Sequence, residues 1–302
     1  MPKIITMPSS PNFSSSTFML TRAISNTRSP FTGKTKTQEF DYAAWSADVV
    51  LPAMTRSTAV EWQSFLLEAK GTSNFFLFRD PDAKNPRGTY NGNSFSGDIR
   101  VNSAVNVTSV TLSFSGSTIT AGTAIFDGLV AGDFFVVEGA TNSDNNGTHK
   151  IQTKTSDTVV VTTSTLTTES STASCSVRQN VKGAEALSLD SESASATGTL
   201  KQGDYLALFN GNTLSTDTPI QLVMCTEDAT LTTQSGSGVA GQDHYSVAIQ
   251  PKLRADFANN SVAGFSSAYN KSRFRLTENQ VEWSANRVGT YGGISFSCTE
   301  VT

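Results

Sequence analysis

A chain of 302 residues and 32.1 kDa holds enough material for two or three domains with buried cores. Only 16% of its residues are charged, the formal net charge is −4 and the pI is near 5.3. That balance argues against a dedicated nucleic-acid-binding protein, whose phosphate contacts need a basic face. The 37% hydrophobic content argues against wholesale disorder. Abundant Thr and Val favour short strands, and abundant Gly, Asn and Asp favour the turns that join them.

Residues 1–15 read as an irregular arm. The N-terminus has no apolar segment of signal-peptide length, and no run approaches a membrane span, so synthesis and folding in a cytoplasm are expected. Thr17 to Ile24 and Lys34 to Tyr42 are extended runs separated by the turn-rich Ser25 to Gly33, the pattern of a hairpin. Phe18, Leu20 and Ile24 share one face, and Phe40 and Tyr42 share one face of the return strand. The inward parity changes between Tyr42 and Trp45, which predicts a β-bulge near Ala43–Ala44. Such a polar hairpin is marginal alone. Either it packs on the helix that follows or a neighbouring subunit completes it.

Trp45, Ala47, Val49 and Leu51 have the common parity of a half-buried strand, which Pro52 ends. Ala59, Trp62, Phe65, Leu66 and Ala69 then fall on one face of a 3.6-residue helix over about 56–70. Thr55 or Thr58 can cap it, Thr58 and Glu61 have capping-box spacing, and Gly71 offers a left-handed stop. Phe75 to Phe78 resumes extended structure.

From about Ser96 to Gln179 the chain is rich in Thr, Ser, Val and Gly and lacks helical periodicity. A partial repeat appears here. Ala131-Gly132-Asp133 precedes Phe134–Val137 and two further strands, 149–154 and 158–162. Gln202-Gly203-Asp204 precedes Tyr205–Leu208 and two further strands, 219–225 and 245–250. In both units Gly should supply φ > 0 and Asp should accept backbone N–H groups. The expected organisation is a mainly β protein. A β-barrel or sandwich host domain, made of residues 1–96 and 181–302, carries the flanking helix, and a small β-sandwich or barrel is inserted at 97–180. Alternating strands are expected at Ser272–Thr277, Val281–Ala285 and Tyr291–Cys298, the last of them paired inside the host sheet.

Residues that could carry chemistry are few. His149 and His244 each lie in a predicted strand or strand edge, where a solvated strand residue is the better reading. Cys175, Cys225 and Cys298 are far apart and without C-x-x-C spacing, which fits buried small hydrophobes better than a metal site or disulfide. Ser235 to Gly241 is Gly-rich but lacks the Lys-[Ser/Thr] ending of a phosphate loop, so it reads as a hairpin tip. Asp133 and Asp204 lack partner carboxylates at loop spacing. Glu227 and Asp228 sit in a turn context, and Trp45, Trp62 and Trp283 lie on apolar faces. No catalytic, cofactor-binding or metal-ligating residue is assigned, no cofactor is expected, and the chain reads as no enzyme.

Two blocks of sequence resemble a known family. The first is Val50-Leu-Pro-Ala-Met-Thr-Arg56, Trp62-Gln-Ser-Phe65, Gly71 and Phe75-Phe-Leu-Phe-Arg-Asp-Pro81. The second is Leu200-Lys-Gln-Gly-Asp-Tyr-Leu206, Ile249-Gln-Pro-Lys-Leu-Arg254, Phe274-Arg-Leu276, Glu282-Trp-Ser284, Ser295-Phe-Ser297 and Glu300. In order and spacing they are similar to the distal tail, or tail-hub, proteins of long-tailed (siphovirus-type) bacteriophages. Ala53 and the segment at 97–180 depart from that pattern. The resemblance implies a tail-tube-like β-barrel with a flanking helix. It also implies a homo-hexameric ring in the virion tail, joining the tail-tube protein to the baseplate or to tip and fibre proteins. A net acidic chain would also avoid gripping DNA that passes through such a ring. Two other readings stay open: a major tail-tube subunit, and a host-attachment protein that binds surface glycan through 97–180.

Overall fold

In the computed structural model, the described residues are 2–91, 99–191, 197–211, 219–233, 243–285 and 290–301. They form a mainly β protein with one α-helix among them and several sheets, one closed into a six-stranded barrel. The chain divides into two compact units. The first comprises Met1–Lys84, Asp217–Leu222 and Lys271–Thr302, the second Asn85–Thr216 and Val223–Asn270. This division differs from the expected segments, because 181–302 is shared between the two units and does not stay with 1–96.

The first unit is a six-stranded sheet in the order Ile4–Ile5, Phe75–Phe78, Ser272–Leu276, Ser295–Glu300, Thr35–Val50, Ser15–Arg28. Only the first pair is parallel. The N-terminal segment is therefore less irregular than expected: Ile4 and Ile5 pair with Phe75 and Phe76. The C-terminal strand is paired on both sides, as its one apolar face predicts.

The helix spans Arg56–Ala69 and buries the five residues of its predicted face. Trp62 stacks on Phe296 at 6.2 Å, and Phe65 meets Phe76 edge-on at 5.2 Å. Buried aromatic pairs of this kind are worth about 0.5–1.5 kcal/mol each beyond the area they bury. The Trp62 indole N–H donates to the Ser10 carbonyl at 2.9 Å. Two details of the helix ends differ from expectation. Thr55 is the N-cap residue, without a side-chain cap bond, so Thr58 already lies inside the first turn and cannot form a capping box with Glu61. The left-handed stop begins at Lys70 (φ 49°) and continues through Gly71 (φ 61°). A Cβ on Gly71 would lie 2.3 Å from Asn279 Oδ1, so close approach as well as φ demands glycine there.

Trp45 is buried and stacks on Phe18 at 5.1 Å. Its indole N–H donates to the Leu222 carbonyl at 2.8 Å. The buried Glu300 carboxylate accepts from the Leu222 amide at 2.9 Å and the Trp45 amide at 3.4 Å, tying three distant segments together. Trp283, by contrast, is 42% exposed. The expected strand Val281–Ala285 is reduced to Ser284–Ala285, so Trp283 precedes the paired residues and no sheet face covers it.

The second unit contains the barrel and a seven-stranded sheet. The barrel runs Phe134–Glu138, Gly147–Ser156, Val159–Thr162, Thr118–Ala121, Asn106–Ser115, Glu169–Arg178 and back to the first. Leu112, Phe114, Phe126, Phe135, Ile151 and Val177 fill it, as side chains fill small barrels generally. Beside it in chain order, Ile99–Val101 and Ala186–Ser191 pair with one another, so the chain enters and leaves the barrel through neighbouring strands of the sheet.

The two Gly-Asp segments build the same turn. Gly132 and Gly203 have φ of 98° and 90°. Asp133 accepts from the Val130 amide at 2.8 Å, and Asp204 accepts from the Lys201 amide at 2.9 Å. Each turn then exchanges a reciprocal backbone pair with the next strand, Gly132–Ile151 and Ile151–Asp133 in one, Gly203–Cys225 and Cys225–Asp204 in the other. Asp204 also accepts from the amides of Arg87 (2.7 Å) and Gly88 (3.1 Å). Replacing it leaves three backbone donors without this acceptor. Asp204→Ala should therefore lower unfolding free energy by about 3 kcal/mol, read as a shifted urea midpoint, while Asp228→Ala, which removes an exposed ion pair and a single amide acceptor, should shift the midpoint by less.

Candidate functional site

The titratable residues singled out from the sequence do not converge. Among the described residues no group of three or more His, Cys, Asp or Glu is placed to hold a metal ion. The three cysteines are buried, and burial pushes their thiols up. Glu227 pairs with Lys150 at 2.6 Å. Asp228 pairs with Lys201 at 2.8 Å and accepts from the Gln202 amide at 2.9 Å; the Lys201 bond first, then the Gln202 amide, hold its carboxyl below the usual range. Both acidic residues thus fasten turns. The Ser235–Gly241 tip lies outside the described residues.

His149 is not the solvated strand residue expected. It is 4% exposed in the barrel strand Gly147–Ser156. Its Nε2 lies 2.9 Å from the Asn145 carbonyl and its Nδ1 3.3 Å from Ser164 Oγ. Asn145 is fully buried and donates to the Thr167 carbonyl and to Glu169, while its Oδ1 accepts from the Thr167 amide. Glu169 accepts in addition from the amides of Thr141 and Asn142. This is a satisfied polar network that fixes loops. Burial pushes the His149 pKa down, against a smaller upward pull from the Asn145 carbonyl. His244 lies in strand Asp243–Gln250, opposite Asp190.

The conspicuous feature is the hairpin of the first unit. Its strands, Ser15–Arg28 and Thr35–Val50, are longer than expected because Ser25–Arg28 pair with Thr35–Gln38. The turn is closed by the Ser29 amide donating to the Lys34 carbonyl at 2.9 Å, with Gly33 at φ 66°. The register shifts between Arg22 and Ile24, where Glu39 to Ala43 face two fewer residues. The irregularity is therefore nearer the tip than Ala43–Ala44. Its cause differs too, since Phe40 and Tyr42 face no core and are each 50% exposed.

Beyond this shift the hairpin is a two-stranded ribbon exposed on both faces. Among the described residues no third strand pairs with it there, whereas Ser295–Glu300 pairs with Thr35–Val50 only over Ser46–Val50. The ribbon carries Ile24, Phe40 and, at the tip, Phe31 at 96% exposure. Exposed Arg28, Lys34 and Lys36 stand beside these apolar residues, and Arg22 pairs with Glu39 at 3.4 Å.

A groove lies at the other end of the same strand. It has a volume of about 510 Å³ and is bounded by Asp48, Val50, Glu278, Gln280, Glu282 and Ser297, among others. Among the described residues its lining holds three carboxylates and no basic residue. Sequence reading missed it because Asp48 and Glu282 are far apart in the chain, and only the pairing of Asp48 with Ser297 brings the two segments together. The outward parity of Asp48 was the one available signal.

Comparison with models of known protein families finds no match. Comparison with curated proteins finds none either.

The His149 environment has a pH consequence. A histidine whose folded pKa lies below its unfolded value of about 6.5 contributes full stability above that value. The contribution is lost as pH falls below it toward the folded pKa, because the unfolded chain takes up the proton first. The thermal midpoint should therefore fall between pH 7.5 and 5.5, and His149→Gln should flatten that slope. An unchanged slope in the variant would assign the dependence to other groups.

Proposed function

We propose that this chain is a structural virion protein: the distal tail, or tail-hub, ring of a long-tailed bacteriophage, assembled from six copies between the tail tube and the baseplate or tip. The observation that carries this reading is the exposed hairpin ribbon. A two-stranded ribbon that holds Ile24, Phe31 and Phe40 in water and has no third strand beside it among the described residues is marginally stable alone, and a partner that covers it would supply the missing contacts. Covering it with a second copy in a head-to-tail contact generates a ring when the rotation closes. The sequence resemblance at 50–81 and 200–300 supports the same reading. On this reading the chain performs no reaction and needs no cofactor.

A tail-tube subunit would use the same ribbon but stack into long tubes. Negative-stain images of the purified protein separate the two: discrete rings support the hub, extended tubes support the tube subunit, and a dispersed monomer overturns both. A variant in which residues 25–38 are replaced by a short turn should keep the melting temperature of the first unit and lose the rings. Rings that persist in that variant would remove the ribbon from the assembly.

A further inference from the structure

The ribbon cannot satisfy its own apolar tip. Thr35 and Asp48 are thirteen residues apart on one strand, which at about 3.3 Å per residue separates them by roughly 40 Å. A paired ribbon does not bend back over that distance, so the groove beside Asp48 is out of reach of the tip of the same chain. Yet the two surfaces match. The tip presents Arg28, Lys34 and Lys36 around an almost fully exposed Phe31. The groove presents Asp48, Glu278 and Glu282. Val50 in its wall is 40% exposed, so the groove offers apolar surface as well. Asp48 already accepts from Ser297 Oγ at 2.6 Å, and that bond leaves it further acceptor positions for a cation.

We propose that the hairpin tip of one copy docks in the carboxylate-lined groove of the next copy, with Arg28, Lys34 and Lys36 set against Asp48, Glu278 and Glu282 and with Phe31 covered by the groove wall at Val50. The proposal rests on the ring reading above and names its contact. Because tip and groove are different surfaces of one chain, the contact is heterologous and repeats around a ring. Charge complementarity of this kind fixes register and orders the encounter, and it weakens as salt rises.

The test uses three full-length variants: Lys34→Glu with Lys36→Glu, Glu278→Lys with Glu282→Lys, and all four substitutions in one chain. All four positions are exposed, and melting curves confirm folding before association is measured by sedimentation velocity. Each two-site variant should sediment as monomer at concentrations where the parent assembles, with association weakened at least about 30-fold by like charges in contact. The four-site variant should reassemble, and so should an equimolar mixture of the two two-site variants. A groove variant that assembles as well as the parent overturns this docking while leaving the ring intact. A parent protein that stays monomeric at every concentration overturns the ring and the docking together.

Discussion

Strand Thr35–Val50 passes through two physical environments, and the rest of the first unit follows from that. From Ala44 to Val50 it is flanked by two strands over most of its length, and its inward residues lie buried in the core. Trp45 there meets Phe18, the Leu222 carbonyl and the Glu300 carboxylate. From Thr35 to Glu39 the same strand has one partner and both faces exposed. The inner half anchors the strand with aromatic burial and satisfied polar groups. The outer half inherits that anchorage and projects apolar side chains into solvent, an arrangement a folded chain sustains only because the inner half holds it in place.

The second unit shows how the same kind of sequence settles when every strand finds neighbours. One turn design, glycine at positive φ followed by an aspartate that binds the amide three residues earlier, starts both the barrel meander and the sheet meander. Closing the first into a barrel removes its edges and fills the interior with side chains. The Asn145–Glu169–His149 network then satisfies loop amides that closure would strand. In this unit polar residues serve architecture, which is why its buried histidine and aspartates do not converge on a reacting centre.

Much of this was legible in the sequence. The helix face, the parity of Trp45, Ala47 and Val49, the double-sided pairing of the last strand and the Gly-Asp turns all follow from short-range periodicity and turn chemistry, which act within a few residues. What was not legible depended on distant partners. Trp283 has the alternation of a core residue but lacks a covering sheet. His149 is buried because Asn145 and Ser164 surround it, and neither neighbour is marked by spacing. The groove beside Asp48 exists only once Ser295–Glu300 has paired, and the two-unit division cuts through 181–302 because strand pairing ignores sequence order.

The central claim is that the outer hairpin is an intersubunit element, and amide hydrogen exchange across a dilution series tests it most directly. Residues 24–28 and 35–40 should exchange fast in dilute protein and become strongly protected as the protein assembles, while the amides of Ala47 and Val49 stay protected throughout. Fast exchange of the ribbon at concentrations where the particle is fully formed would contradict the claim.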